Sequence, residues 1–306
     1  MTQQGNSPLQ KVVTHLTNKY NINFYVKRDD MIHPLISGNK WRKLKYTLIV
    51  AKENNISTLL TFGGTYSNHI HAFAAAGKLN SFRTIGIIRG EEDLDNPTIA
   101  DAKAWGMQIK YVSRLEYKKR HDPEYLQGLQ LSYPDALIIP EGGTNITALK
   151  GVSEILNELI YIAPDFVCTP CGSGGTTAGL ICGATADTKI VSVPVLKGAA
   201  YLKDLINTLV QQCNITNDNW DFIDGYHFGG YAKITPELIS FIEQFHNETK
   251  IELEPIYSGK MFYAVFELMK QGYFPENSTV VAIHTGGLQG VNGLKQRGLL
   301  PQNWLK

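Results

Sequence analysis

Between residues 58 and 283 the sequence alternates short apolar segments with longer segments of helical periodicity. Strands that are buried on both faces and joined by helices form parallel sheets of the βαβ type, so this alternation predicts an α/β fold. The predicted strands are 58–62, 83–88, 108–112, 136–139, 165–169, 189–195 and 279–283. The predicted helices are 40–54, 67–79, 97–105, 114–133, 146–162, 201–212, 235–247 and 259–271, with two more beginning near 177 and after 287; residues 219–232 are predicted to be irregular.

The length of the chain fits two domains or one large α/β unit. With 306 residues it exceeds one ordinary core, and its 43% apolar and 19% charged residues are typical of a well-buried globular protein. No linker-like segment divides it, which predicts that the chain crosses between the two domains more than once.

Composition also argues against several classes of protein. The net charge is +1 and no basic block interleaves with aromatic residues, so we expect no nucleic-acid partner. Residues 1–6 are polar without the apolar core of a signal peptide, and no apolar run approaches the roughly 20 residues of a membrane span. We therefore expect a cytoplasmic protein. Cys168 and Cys171 form one C-x-x-C pair, but zinc requires a second pair, and we expect no metal site.

The stretch 37–46 contains a lysine at a predicted helix start. Gly38 and Asn39 are turn and cap residues, and the apolar pattern that follows predicts a helix from Lys40 with Asn39 as its N-cap. The positive end of the helix dipole would lower the pKa of Lys40 and favour a neutral amine able to act as nucleophile or base. The alternative is an ordinary solvated lysine.

A glycine-rich loop at 169–179 follows one predicted strand and opens the next helix. Its glycines allow close approach of a ligand, its amides point at an anion, and Ser173 and Thr176 add hydroxyl donors. The spacing matches neither the dinucleotide nor the nucleoside-triphosphate motif, so a single phosphate is the predicted ligand. The alternative is a βα turn without a ligand.

Two further segments are candidate parts of the same site. Ser67 opens a predicted helix after Gly63 and Gly64, which suggests a carboxylate site at that helix start, although N-capping alone would explain the serine. Tyr257, just before a helix, is a candidate acid–base group, and Thr285, just after a strand, is a candidate partner for a ring nitrogen.

Together these segments resemble the 1-aminocyclopropane-1-carboxylate deaminase/D-cysteine desulfhydrase family of pyridoxal-phosphate (PLP) enzymes. The resemblance covers nearly the whole chain. It rests on the ordered motifs 27–30, 38–46, 67–69, 139–145, 172–179, 257–260 and 284–287. It implies the tryptophan synthase β-like fold (PLP fold type II), with two three-layer domains and mainly parallel sheets. The large domain would comprise 1–44 and 153–306, and a smaller domain, 45–152, would close over the substrate.

The resemblance also implies a role for each site residue. Lys40 would bind PLP covalently and act as a catalytic residue with Ser67 and Tyr257. The substrate would be bound at Ser67, Asn68 and His69, its carboxylate by the amides of 67–69. The cofactor would be held by Lys40, Lys43, Asn68, Ser173, Gly174, Gly175, Thr176 and Thr285.

The implied activity is α,β-elimination from a small amino acid, most closely D-cysteine, giving pyruvate, ammonia and hydrogen sulfide in a homodimer. The runs 67–69 and 284–287 resemble the desulfhydrase branch, and the deaminase branch has a second tyrosine where this chain has Ala282. Trp41 and Tyr66 depart from the desulfhydrase pattern and are expected near the cleft. Alternatives are a 1-aminocyclopropane-1-carboxylate deaminase, a PLP racemase or a β-replacement enzyme, and, outside enzymes, a phosphate-binding or redox protein.

Overall fold

The computed structural model describes residues 7–305 and contains two separate sheets, each with helices on both faces. Residues 1–6, for which we predict no signal peptide, lie outside the described range. The six-stranded sheet has the order β1-β2-β10-β7-β8-β9, with only β1 antiparallel to its neighbour. Its strands are β1 (Leu9–Lys11), β2 (Asn23–Lys27), β7 (Phe166–Cys171), β8 (Lys189–Pro194), β9 (Trp220–Phe222) and β10 (Thr279–Ile283).

The four-stranded sheet is parallel throughout and has the order β5-β4-β3-β6. Its strands are β3 (Thr58–Gly64), β4 (Arg83–Arg89), β5 (Gln108–Val112) and β6 (Ala136–Ile139). The chain therefore builds the first strands of the large sheet, then the whole small sheet, and then returns to complete the large one. The predicted α/β class and the crossing of the chain between two units are confirmed.

Twelve helices cover the faces of the sheets within the described residues. They are α1 (His15–Lys19), α2 (Asn39–Glu53), α3 (Asn68–Asn80), α4 (Pro97–Ala104), α5 (Arg114–Lys118), α6 (Pro123–Ser132), α7 (Ile146–Asn157), α8 (Gly175–Gly183), α9 (Tyr201–Gln211), α10 (Pro236–Thr249), α11 (Ser258–Lys270) and α12 (Gly290–Gln296). In the part of the chain described here, none of them is both long and apolar enough to cross a membrane.

Four buried apolar clusters hold these layers together. One face of the large sheet packs on α10 and α11, and the other packs on α7, α8 and α9. One face of the small sheet packs on α2, α3 and α4, and the other packs on α5 and α6. Each unit is therefore a three-layer sandwich of helix, sheet and helix, and the domain bounds at 45 and 152 stay a prediction.

Helix α2 is attached to the large unit at its first turn. Gly38 has φ +63°, and a Cβ there would lie 1.8 Å from the carbonyl oxygen of Thr285, so only glycine fits. The same carbonyl accepts a hydrogen bond from the Asn39 amide at 3.2 Å. Because β10 ends just before Thr285, the loop after a central strand of the large sheet sets where α2 begins.

A buried ion network supports α2 from behind. The Arg42 guanidinium is fully buried and donates to Asp29 Oδ1 at 2.8 Å and to both carboxylate oxygens of Glu158. Lys27 also pairs with Glu158 at 2.7 Å. Asp29 follows β2 and Glu158 ends α7, so the network joins α2 to two elements of the large unit.

Several predicted elements differ from the observed ones. Asn39 is not the N-cap of α2, because Gly38 holds that position and Asn39 is the first helical residue. The predicted helix 114–133 is two helices, because Pro123 lacks the amide that an unbroken helix would need. The region 219–232 contains the edge strand β9, and β1 and α1 were not predicted.

The ion network predicts a large stability loss for Arg42→Met. The substitution leaves Asp29 as a buried carboxylate without its cationic partner, and breaking a buried pair in this way costs about 3–5 kcal/mol. Urea unfolding measures the difference. The matched control is Lys103→Met, which removes an exposed pair with Glu92 and should leave the stability almost unchanged, because water screens exposed charges. Equal effects of the two substitutions would contradict the role assigned to the network.

Candidate active site

The site lies where loops from both sheets meet the first turn of α2. Loops following the carboxyl ends of β3 and β6 come from the small unit, and loops following β7 and β10 come from the large unit. Ligands of parallel α/β sheets bind at this edge because the loops there carry side chains and helix N-termini together. The predicted site segments 67–69, 172–176 and 284–287 lie on these loops and on the first turns of α3 and α8, which follow two of them.

Lys40 is half-buried at the start of α2. Its Nζ donates to Asn39 Oδ1 at 3.0 Å, and Asn39 Nδ2 donates to Thr176 Oγ1 at 2.8 Å, so the amide of Asn39 links the lysine to the glycine-rich loop. Burial lowers the pKa of Lys40 to about 8. The lowered pKa agrees in direction with the prediction, and burial is its cause.

Lys43 lies one turn further along α2 and is almost completely buried. Its Nζ donates to the Gly142 carbonyl at 3.2 Å, Thr144 Oγ1 at 3.0 Å and Ser173 Oγ at 3.3 Å. No carboxylate of residues 7–305 forms a salt bridge with it. Burial, followed by the charge of Lys40, lowers the pKa of Lys43 well below its usual value. A buried cation with only neutral partners is suited to binding an anion.

The glycine-rich loop completes this cradle around Lys43. Gly174 has φ +76° and is the N-cap of α8, and a Cβ at Gly175 would lie 2.6 Å from Thr144 Oγ1 and 2.8 Å from Lys43 Nζ. Thr144 Oγ1 and Ser173 Oγ are 3.0 Å apart. The first amides of α8, the hydroxyls and the amine therefore converge in a space that a side chain at 175 would fill. Thr144 was not predicted as part of this cradle.

The N-terminus of α3 is the second candidate anion site. Ser67 is its N-cap, and its Oγ accepts from the amides of His69 at 3.2 Å and Ile70 at 3.4 Å. The Ser67 amide donates to Gly64 O at 3.1 Å. In the described part of the chain, the Asn68 amide has no protein acceptor, so it is the one amide of 67–69 available to a ligand.

His69 is buried beneath this helix start and touches the cradle side of the cleft. The Thr61 hydroxyl donates to Ile139 O at 2.8 Å, so it accepts from His69 Nε2, also at 2.8 Å. The other ring nitrogen, Nδ1, has no partner among the described residues. Burial, followed by the charges of Lys40 and Lys43, lowers the pKa of His69 well below its usual value, so the ring is neutral.

Asn68 and Thr285 lie on opposite segments that converge beside α2. Gln289 Nε2 donates to Asn68 Oδ1 at 2.6 Å, and a Cβ at Gly287 would lie 2.8 Å from Asn68 Nδ2. Thr285 is nearly buried, and its carbonyl accepts from the Asn39 amide. The structure thus brings Asn68 next to the 284–287 run, as the predicted site requires.

Tyr257 lies against the glycine-rich loop, since a Cβ at Gly172 would be 2.9 Å from its ring. Glu254 fixes its backbone by accepting from the amides of Ile256 at 2.7 Å and Tyr257 at 2.9 Å. Burial raises the pKa of Glu254 to about 7 and that of Tyr257 well above its usual value.

Tyr231 lies beside the candidate site residue Tyr257 and was not among the predicted site residues. Its ring meets Tyr257 edge to face, with centroids 5.9 Å apart. It lies in the region 219–232, which looked merely irregular; its signal is a set of aromatic residues interleaved with Gly229 and Gly230.

The family model described as pyridoxal-phosphate dependent enzyme matches residues 1–286 of the chain. The chain belongs to this family.

Individual relatives of this PLP-dependent enzyme are similar over nearly its whole length. A Pyrococcus abyssi protein, provisionally named 1-aminocyclopropane-1-carboxylate deaminase, is 31% identical and covers 93% of this chain and 90% of its own. A mitochondrial Arabidopsis thaliana enzyme named as bifunctional D-cysteine desulfhydrase/1-aminocyclopropane-1-carboxylate deaminase is 28% identical, and the match covers 92% of this chain and 76% of that enzyme. The D-cysteine desulfhydrase of Serratia proteamaculans is 25% identical, and the match covers 92% of this chain and 91% of the Serratia enzyme.

Solved structures agree with these relatives. The crystal structure of an ACC (1-aminocyclopropane-1-carboxylate) deaminase homologue has a TM-score of 0.83 and 28% identity, covering 96% of this chain and 94% of its own. A tomato threonine deaminase, at 18% identity and a TM-score of 0.69, shares the fold. The predicted family, PLP fold type II and the cofactor PLP are confirmed.

The residues of the PLP enzyme fit its cofactor. PLP carries a phosphate, and Lys43 is a buried cation whose protein partners are neutral, in a cradle of hydroxyls and α8 amides that Gly175 keeps open. PLP also carries an aldehyde, and the Lys40 amine is joined to the same cradle through Asn39 and Thr176. The individual roles of these residues stay predictions.

Trp41 and Tyr66, which depart from the family pattern, do not pack as cleft residues. Trp41 is buried in the apolar cluster behind α2. Tyr66 packs between elements, with its hydroxyl 3.2 Å from Asp93 Oδ2 and its ring 4.3 Å from the Arg297 guanidinium. Ala282, where the deaminase branch has its second tyrosine, is buried in the apolar cluster under α11.

Gly175→Ala should abolish tight PLP binding. The new methyl group would collide with Thr144 and Lys43, both partners in the cradle, and would displace the amine from the phosphate position. We expect the dissociation constant of PLP, measured by spectroscopic titration of the apoprotein, to rise at least tenfold. Gly128→Ala is the matched control, because a Cβ on that α6 glycine meets nothing within 4 Å. Unchanged PLP affinity in Gly175→Ala would contradict the assigned cradle.

Proposed function

We propose that this enzyme is a lyase that eliminates the β-substituent of a small amino acid, most closely D-cysteine. With water, D-cysteine would give pyruvate, ammonia and hydrogen sulfide. The observation that carries the proposal is the position of the Lys40 amine, which the Asn39 amide joins to the phosphate cradle, while the N-terminus of α3 packs beside the same cradle through His69. A phosphate and an amino-acid carboxylate are the two anions of a PLP–substrate complex.

PLP, when bound, withdraws electrons from the substrate Cα and makes its proton acidic. Lys40 is the candidate base for that proton, because a pKa of about 8 leaves part of its Nζ neutral near neutral pH. Ser67 is the alternative proton carrier, but its Oγ already caps α3, which supports Lys40 for this role.

The N-terminus of α3 is the proposed carboxylate site. The free amide of Asn68 and the positive end of the helix dipole favour an anion there. The buried ring of His69 is neutral, so it carries no positive charge that would compete with Lys40 for the substrate carboxylate. The substrate is thereby oriented with its carboxylate toward α3.

Tyr257 is the candidate acid for the leaving group. Burial keeps its phenol protonated at neutral pH, so its O–H can donate to the departing sulfide. Tyr231 beside it, also with a pKa raised by burial, offers a second protonated phenol. Two such donors suit the departure of a β-substituent as an anion.

The second candidate is ring opening of 1-aminocyclopropane-1-carboxylate, which the names of the Pyrococcus abyssi and Arabidopsis relatives favour. The resemblance of runs 67–69 and 284–287 to the desulfhydrase branch supports D-cysteine instead. Homodimer assembly, which the family resemblance implies, completes the proposal together with the cytoplasmic location expected above.

A substrate panel tests the proposal. Purified holoenzyme is incubated separately with D-cysteine, L-cysteine, β-chloro-D-alanine and the cyclopropane acid, and the oxoacid product is identified by chromatography. We expect pyruvate from D-cysteine and β-chloro-D-alanine, with much less from L-cysteine. A four-carbon oxoacid from the cyclopropane acid alone would establish the second candidate, and no oxoacid from any of the four would refute the lyase assignment.

A further inference from the structure

The backbone leading to Tyr231 is strained and packed on one side only. Four residues between 228 and 232 have positive φ, and two of them, Phe228 at +53° and Ala232 at +55°, are not glycine. Residues 231–236 line a cavity of about 640 Å³ together with Ile239 and Leu299. Strained backbone beside open space persists only if other contacts restrain it.

Lys260 supplies such a restraint from α11. Its side chain is fully buried, and its Nζ donates to the carbonyl oxygens of His227 at 2.9 Å and Gly230 at 2.7 Å. Within residues 7–305 it forms no salt bridge. Both hydrogen bonds that the amine donates to the protein therefore go to the segment that leads to Tyr231.

The position of Lys260 on α11 connects this segment to Tyr257. Tyr257 directly precedes α11 and Lys260 lies in the first turn of that helix, so both are held by the same helix start. Glu254 fixes the first turn through the Ile256 and Tyr257 amides. Tyr263, one turn further along α11, packs on Phe228, with the two ring centroids 4.9 Å apart.

We propose that Lys260 is a positioning residue: by binding the carbonyls of His227 and Gly230, it holds Tyr231 against Tyr257 at the active site. Lys260 itself touches neither substrate nor cofactor. It acts by transmitting the fixed position of α11 to a segment that would otherwise move into the adjacent cavity. An apolar side chain of similar length would fill the same volume without the amine, so the hydrogen bonds rather than the packing carry the effect.

Hydrogen–deuterium exchange on the holoenzyme tests the restraint independently of the substrate. Lys260→Met keeps the length of the side chain and removes its donors, and we expect faster exchange in peptides covering 226–232, with an unchanged PLP absorbance spectrum. Lys270→Met on the same helix is the matched control, because that exposed lysine pairs only with Glu267 at the surface. If Lys260→Met does not fold, Lys260→Gln, whose shorter amide reaches at most one carbonyl, takes its place. Exchange equal to that of the wild type in whichever variant folds would overturn the proposal.

A double-mutant cycle with Tyr231→Phe tests whether the restraint acts through Tyr231. This arm rests on the proposed function and uses the best substrate of the panel. We expect kcat to fall about tenfold in Lys260→Met and in Tyr231→Phe, and the double variant to be no slower than the slower single one. Multiplying effects would overturn the proposal, because they would make Lys260 independent of Tyr231. If the panel shows no activity, the exchange experiment still decides, so failure of the two proposals can be told apart.

Discussion

The site depends on the contact between Gly38 and the Thr285 carbonyl, which sets where α2 begins. Only glycine fits there, since a Cβ would lie 1.8 Å from the carbonyl oxygen. Everything that α2 presents follows from this attachment. Lys40 and Lys43 face the loops of the two sheets, and Arg42 between them faces backward into the buried network with Asp29 and Glu158. One turn of helix thus carries both the candidate reactive amine of Lys40 and the Arg42 side chain that anchors the helix.

The buried cations of the molecule fall into two kinds. Arg42 is matched by two carboxylates, which is the arrangement of a structural charge. Lys40, Lys43 and Lys260 have neutral protein partners, and burial lowers the pKa of each. For Lys43 the phosphate of PLP is the anion that we expect. For Lys40 the lowered pKa would suit the proposed role, because a neutral amine can act as nucleophile and as base. For Lys260, binding the carbonyl groups of His227 and Gly230 is itself the function that we propose.

Much of this organisation could be predicted because it is local. Strand β10 has its predicted bounds, and α3 starts one residue from its prediction, since apolar periodicity and capping residues act over short distances. Asn39 was wrong as N-cap because a distant carbonyl, that of Thr285, decides the helix start. The contacts of Tyr231 and Lys260 could not be predicted for the same reason: their partners are 26 to 33 residues away along the chain. The sequence predicts Trp41 and Tyr66 near the cleft. In the structure Trp41 is a core residue behind α2, and the ring of Tyr66 packs against the Arg297 guanidinium.

The central claim is that the Lys40 amine, rather than the neighbouring Lys43, forms the covalent bond to PLP. Borohydride reduction of the holoenzyme followed by peptide mass mapping tests it most directly. The account predicts that the visible absorbance of the bound cofactor disappears on reduction and that the reduced cofactor is found on Lys40, with no label at that position in Lys40→Ala. A label on Lys43, or a Lys40→Ala variant with full activity, would contradict the account.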